Sequence, residues 1–213
     1  MQTLLERIHA IRIVPVIAID DAAQAIPLAK TLIAGGIPCA EITFRTAAAA
    51  ESIAAISAEV PAMLVGAGTV LSREQADRAK AAGAAFAVSP GFNPHIVDYC
   101  GQIGLPIIPG CSSPSDMEQA IERGLQVVKF FPAEQAGGLP FLKAVAAPYT
   151  GLRFMPTGGI GPQNLAEYLS FSRVIACGGS WMAKPEIIAA GRFDEIAQLC
   201  RKAVDIAENT GKA

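Results

Sequence analysis

Residues 106–130, PIIPGCSSPSDMEQAIERGLQVVKF, hold one complete unit of a parallel α/β fold. Pro106 to Pro109 is a short apolar run of the kind buried on both faces of a sheet. Ser113 before Pro114 puts a capping residue next to a proline at the first helical position, and Pro114 to Arg123 is helix-periodic. Gly124 offers a left-handed stop, and Val127 to Phe130 is again an apolar, β-rich run. Strand, helix and strand follow within a span long enough for a parallel crossover.

The same alternation extends in both directions. Upstream runs are Ile13 to Ala18, Cys39 to Thr43, Met63 to Ala67 and Ala85 to Val88; downstream lie Arg153 to Pro156 and Arg173 to Ala176. Helix-periodic segments such as Ala22 to Ala34, Ala47 to Glu59 and Arg73 to Ala82 separate them, with a capping box offered at Ser72 and stops at Gly35-Gly36 and Gly83. Eight strands alternating with helices predict a closed (β/α)8 TIM barrel, a single domain over 1–213. Met1 to Ile8 adds a short amphipathic N-terminal helix without the basic cluster and apolar core of a signal peptide. A doubly wound open sheet uses the same alternation, but usually with fewer strands and a glycine-rich turn after the first, and none follows here.

Composition narrows the partners. The chain is 52% hydrophobic and 17% charged, and its net charge of −2 is spread without a basic stripe, which argues against nucleic acid. Pro, Gly or charged residues interrupt every apolar stretch before a membrane span is reached. Cys39, Cys100, Cys111, Cys177 and Cys200 are scattered without a CxxC pair, which reads as small buried hydrophobes in a reducing compartment, the cytoplasm. His9 and His95 lie outside the strand ends and join no carboxylate cluster, so no metal is expected.

In a barrel of this type the chemistry sits at the C-terminal ends of the strands. Lys129 there follows the run Leu125-Gln126-Val127-Val128 and precedes Phe130 and Phe131. Desolvation disfavours an ammonium and frees the amine to attack a carbonyl; the alternative is a lysine paired with a carboxylate or snorkelling at the rim. Glu41 sits at the end of the apolar run Ile37-Pro38-Cys39-Ala40, where a carboxyl group can take and return a proton, or else be held in an interior ion pair with Lys129 or Arg45. Arg45, four residues on, is placed to clamp a carboxylate in its guanidinium fork, or is a solvent-exposed loop arginine. Thr157-Gly158-Gly159-Ile160 and Gly178-Gly179-Ser180 follow the last two strands, where barrels often hold phosphate on backbone amides; glycines alone could make tight turns, but the paired placement favours phosphate.

Five strings carry a resemblance: Glu41-Ile42-Thr43-Phe44-Arg45-Thr46, Val65-Gly66-Ala67-Gly68-Thr69-Val70, Val88-Ser89-Pro90-Gly91, Lys129-Phe130-Phe131-Pro132-Ala133-Glu134 and Pro156-Thr157-Gly158-Gly159-Ile160. From about Val14 through Trp181 the chain resembles the 2-keto-3-deoxy-6-phosphogluconate aldolase family, which includes 4-hydroxy-2-oxoglutarate aldolases, with no departure at the expected catalytic positions. The resemblance implies a class I aldolase, a carbon–carbon lyase that needs no cofactor and cleaves 2-keto-3-deoxy-6-phosphogluconate to pyruvate and glyceraldehyde 3-phosphate, as in the Entner–Doudoroff pathway. A second substrate would be 4-hydroxy-2-oxoglutarate, cleaved to pyruvate and glyoxylate. It further implies Lys129 as the Schiff-base nucleophile, Glu41 as acid and base, and Arg45 on the pyruvate carboxylate, with Thr69, Pro90, Phe131 and Thr157 shaping that pocket. Gly158, Gly159, Gly179 and Ser180 would hold the phosphate, and the assembly would be a homotrimer. Competing readings are an aldolase for the galactonate epimer, a metal-dependent aldolase, a sugar-phosphate isomerase, and a non-catalytic barrel that binds a phosphorylated metabolite.

Overall fold

The computed structural model describes residues 2–210. The chain opens with α1 (Leu4–Ile11), then β1 (Ile13–Ile17), a 3-10 turn (Ala22–Gln24) and α2 (Ala25–Ala34). Next come β2 (Cys39–Thr43), α3 (Ala49–Glu59), β3 (Leu64–Gly68), α4 (Arg73–Ala81), β4 (Ala87–Val88) and α5 (Pro94–Gln102). The middle of the chain forms β5 (Ile107–Ile108), β6 (Gly110–Cys111), α6 (Pro114–Glu122), β7 (Val127–Phe130) and α7 (Gly138–Ala146). It ends with β8 (Arg153–Pro156), α8 (Leu165–Ser170), β9 (Cys177–Gly179), α9 (Pro185–Ala189) and α10 (Phe193–Asn209).

The closed eight-stranded barrel expected from the alternation is not what forms. All pairing is parallel, but it divides into a curled six-stranded sheet, β5-β4-β3-β2-β1-β9, and a separate three-stranded sheet, β6-β7-β8. Two local causes break the ring. The expected strand Pro106 to Pro109 is cut at Pro109, which has no N–H for the ladder; β5 pairs with β4 before it and β6 with β7 after it. At the other seam, β8 meets the last strand only through the isolated bridges Phe154↔Val174 and Thr157↔Gly178. The last strand also falls later than the expected Arg173 to Ala176. Its regular partner β1 begins at Ile13, and Ile13 registers with Cys177.

Capping side chains mark four of the helix starts, at Thr3, Ser72, Asn93 and Ser113. Ser113 and Asp116 form a full capping box with Pro114 at the first turn. At α4 the box is incomplete: Ser72 Oγ accepts from the Gln75 N–H, but Gln75 Oε1 accepts from Leu71 rather than Ser72. The N-terminal helix begins at Leu4 behind a Thr3–Glu6 capping box; Met1 of the expected segment lies outside the described residues. Among the described residues no helix is long and apolar enough to cross a membrane.

Two layers of burial position the site. Alternate strand residues such as Ala40, Ile42, Val128 and Phe130 face the helices. The other set, including Val14, Cys39, Leu64, Phe86, Ile108, Val127 and Met155, forms a second core with Ile8 of α1. That inner core fills the space enclosed by the strands toward their N-terminal ends, and Leu4, Leu5 and Ile11 pack against it.

All five cysteines are buried and free. Burial pushes the Cys39 and Cys200 thiols up to about 12 and Cys100 up to about 11, whereas an unfolded thiol titrates near about 8.5. The folded protein therefore keeps protons that the unfolded chain has lost. This stability is fully present below about pH 8.5 and is lost as pH rises through 11 to 12. Thermal melts are expected to fall steadily above about pH 9, and the fall should be shallower in Cys100→Ala. An identical slope in that variant would remove the thiol from the account.

Candidate active site

The period of two along β2 and β7 puts two charged side chains where apolar ones would otherwise continue the inner core. Cys39 and Val127 belong to that core. Two residues further along each strand, Glu41 and Lys129 point to the same side, toward the C-terminal ends. Glu41 is 0% exposed and the Lys129 side chain 6% exposed, and Lys129 Nζ lies 3.4 Å from Glu41 Oε1. Of the two partners considered for Glu41, the structure selects Lys129.

Room for this pair comes from neighbouring strands that lack side chains. Gly68 ends β3 opposite Thr43, and a Cβ added there would come within 2.4 Å of Glu41 Oε1. Gly110, in register with Lys129, lets the Pro90 carbonyl approach its backbone to a distance no Cβ would permit.

As a purely structural ion pair this one is poor. Buried charges repay their desolvation only with close geometry and further hydrogen bonds on the remaining atoms. Here the contact is 3.4 Å, and Glu41 Oε2 is buried with no hydrogen-bond partner. Glu41 and Lys129 both line a cavity of about 310 Å³. Phe131 presents its ring 5.2 Å from Lys129 Nζ and closes that side of the amine.

Every residue to which the resemblance gives a site role lines this cavity. Arg45 stands at its exposed rim, with Nε donating to Thr43 Oγ1 at 3.1 Å. Thr69 is held at φ 57, a left-handed conformation costly for a β-branched residue, immediately after β3. Pro90 follows Ser89, whose hydroxyl donates to the Gly91 carbonyl at 2.8 Å and braces the turn. Thr157 is buried, with Oγ1 lacking a partner. Gly158 and Gly159 then turn through φ 101 and 78, which side chains rarely adopt, and Gly179 and Ser180 complete that wall.

Val16, Thr43 and Ile160 also line the cavity, and none of them takes a role of its own from the sequence. For two of them the signal was available: Val16 lies two residues beyond Val14, and Thr43 two beyond Glu41, on the inward face. Size alone does not locate the site. A larger cleft of about 620 Å³ beside α1 is lined by Leu4, Leu5, Ile107 and Val127 and by a scatter of rim residues, with neither Lys129 nor Glu41. Among the described residues no three His, Cys, Asp or Glu side chains converge as metal ligands.

Residues 4–199 match the family model described as KDPG and KHG aldolase, where KDPG is 2-keto-3-deoxy-6-phosphogluconate and KHG is 4-hydroxy-2-oxoglutarate. A 2-dehydro-3-deoxy-phosphogluconate aldolase of Treponema pallidum (strain Nichols) is 52% identical over 97% of this chain and 98% of the relative. A KHG/KDPG aldolase of Escherichia coli (strain K12) is 43% identical over 91% of each. Among solved structures, a KDPG aldolase from Legionella pneumophila, with pyruvate captured as a covalent carbinolamine intermediate, superposes with a TM-score of 0.90. It is 37% identical, and the match covers 95% of this chain and 99% of that one.

Proposed function

Since the chain belongs to the KDPG and KHG aldolase family, we propose that Lys129 is the amine that forms its Schiff base and that Glu41 moves the protons beside it. The protein is a class I aldolase, a carbon–carbon lyase that cleaves 2-keto-3-deoxy-6-phosphogluconate to pyruvate and glyceraldehyde 3-phosphate. The observation that carries the residue assignment is the buried 3.4 Å pair with one carboxylate oxygen unengaged beside the cavity.

The reaction then runs on this chain's own groups. Proton transfer from Lys129 to Glu41 frees the amine, which attacks C2 of the keto acid; Glu41 returns that proton to the carbinolamine oxygen, which leaves as water, so the iminium forms and Glu41 is a carboxylate again. Arg45 binds the C1 carboxylate at the rim, and Thr69, Pro90, Phe131 and Thr157 enclose the three-carbon unit. The iminium withdraws electrons from the C3–C4 bond. Glu41, directly or through water, removes the C4 hydroxyl proton, the bond breaks, glyceraldehyde 3-phosphate leaves, and its bonding pair becomes the enamine of pyruvate. Reprotonation at C3 restores the iminium, and water releases pyruvate and the lysine. Gly158, Gly159, Gly179 and Ser180, at the ends of β8 and β9, are assigned to the phosphate. The same steps serve 4-hydroxy-2-oxoglutarate, with glyoxylate as the released aldehyde.

We further infer a single domain, a homotrimer as the resemblance implies, a place in the Entner–Doudoroff pathway and a cytoplasmic setting, which the free, buried thiols suit. The test of the residue assignment is reduction with borohydride in the presence of pyruvate, followed by peptide mass spectrometry. One reduced pyruvate on Lys129 is expected. An adduct confined to another lysine, or none on folded protein in excess pyruvate, would sink the assignment.

A further inference from the structure

Thr43 takes no part in the scheme above, yet it is 1% exposed, lines the cavity and touches Arg45. Its hydroxyl has one proton, and that proton is committed: Thr43 Oγ1 donates to the Ile17 carbonyl at the end of β1, at 2.9 Å. The oxygen can therefore only accept from Arg45, and the Arg45 Nε–H supplies that bond at 3.1 Å. Among the described residues Arg45 has no carboxylate within 4.0 Å, so this bond is what orients an otherwise exposed side chain.

We propose that Thr43 is a positioning residue that fixes Arg45 for the substrate carboxylate and dictates how the guanidinium is used. With Nε engaged by Thr43, the side-on fork of Nε and one terminal nitrogen is closed to the ligand. The four terminal N–H donors remain, and Arg45 meets a carboxylate end-on. A long, rotamer-rich arginine at a rim loses considerable freedom when it clamps a ligand; anchoring Nε beforehand removes part of that loss from the binding step. The chain of bonds from the Ile17 carbonyl through the Thr43 hydroxyl to the guanidinium also aligns its dipoles, so each bond strengthens the next. The β1–β2 pairing, with Ile17 in register with Ile42, holds this chain at a fixed place on the sheet.

The proposal rests on the reading that Arg45 binds the carboxylate, and a double-mutant cycle separates the two. Thr43→Val keeps the volume and removes the hydroxyl. Steady-state cleavage is measured for the parent, Thr43→Val, Thr43→Ser, Arg45→Leu and the double variant, together with the pyruvate concentration giving half-maximal borohydride trapping. Thr43→Val is expected to raise KM and the trapping midpoint about tenfold, the weight of a hydrogen bond to a charged group, with kcat within about threefold. Thr43→Ser should restore both. In the Arg45→Leu background, Thr43→Val should add little, because its route of action is already gone. An unchanged KM in Thr43→Val while Arg45→Leu raises it overturns the positioning role alone. An unchanged KM in Arg45→Leu overturns the carboxylate reading and this proposal with it. Additive losses in the double variant, or a fall in kcat without change in KM, would mean that Thr43 acts through packing.

Discussion

Lys129→Met is expected to lower turnover by at least about 10⁴-fold and to abolish borohydride trapping of pyruvate, because no other group replaces the amine that turns the C2 carbonyl into an electron sink. Methionine is chosen because it nearly preserves the volume between Glu41 and the Phe131 ring, so little cavity is created. The variant does leave Glu41 without its cation. A buried carboxylate stripped of its partner costs about 3–5 kcal/mol if it stays ionised, and taking up a proton reduces that cost. The melting temperature should therefore fall by several degrees while far-ultraviolet circular dichroism stays that of the folded protein. Turnover within about a hundredfold of the parent, in a folded variant, would remove Lys129 from the covalent role.

Glu41→Gln separates binding from chemistry. Glutamine has the shape of the glutamate, fits the space left by Gly68, and can still accept a hydrogen bond from Lys129. What it cannot do is take the C4 hydroxyl proton or return one to the enamine. Turnover is expected to fall by about 10²–10⁴-fold, the usual span for a lost general acid–base group. Trapping by pyruvate should persist at a slower rate, since imine formation needs the proton transfer less stringently than bond cleavage does. Exchange of the pyruvate methyl protons with deuterated solvent, which depends on the enamine, should slow in parallel with turnover. A variant in which trapping vanishes but methyl exchange continues would contradict the assigned order of events.

The site was more legible in the sequence than the closure of the fold. Lys129 stood out because an amine inside Val127-Val128-Lys129-Phe130 is unusual, although a snorkelling or ion-paired lysine fits the same run, and Glu41 likewise ends an apolar run. Their pairing did not follow from either run. The two residues lie 88 positions apart and meet only because β2 and β7 both turn an odd-numbered set inward at the same height. Thr43 was passed over because threonine in a strand is ordinary; its importance lies in a single committed proton, which only the position of the Ile17 carbonyl reveals.

The sequence by itself determined the alternation of strands and helices, the bounds of many of them, the family resemblance and most of the residues around one cavity. Local signals carry much of this: caps at Ser113 and Ser72, apolar runs of strand length, and unusual residues at the strand ends. Only the tertiary structure decided that the strands divide into sheets of six and three instead of one continuous ring, and that the last strand begins at Cys177. Strand pairing is a contest between backbone partners far apart in the chain. A proline at position 109 or a partner beginning at Ile13 decides it through hydrogen bonds that no periodicity records.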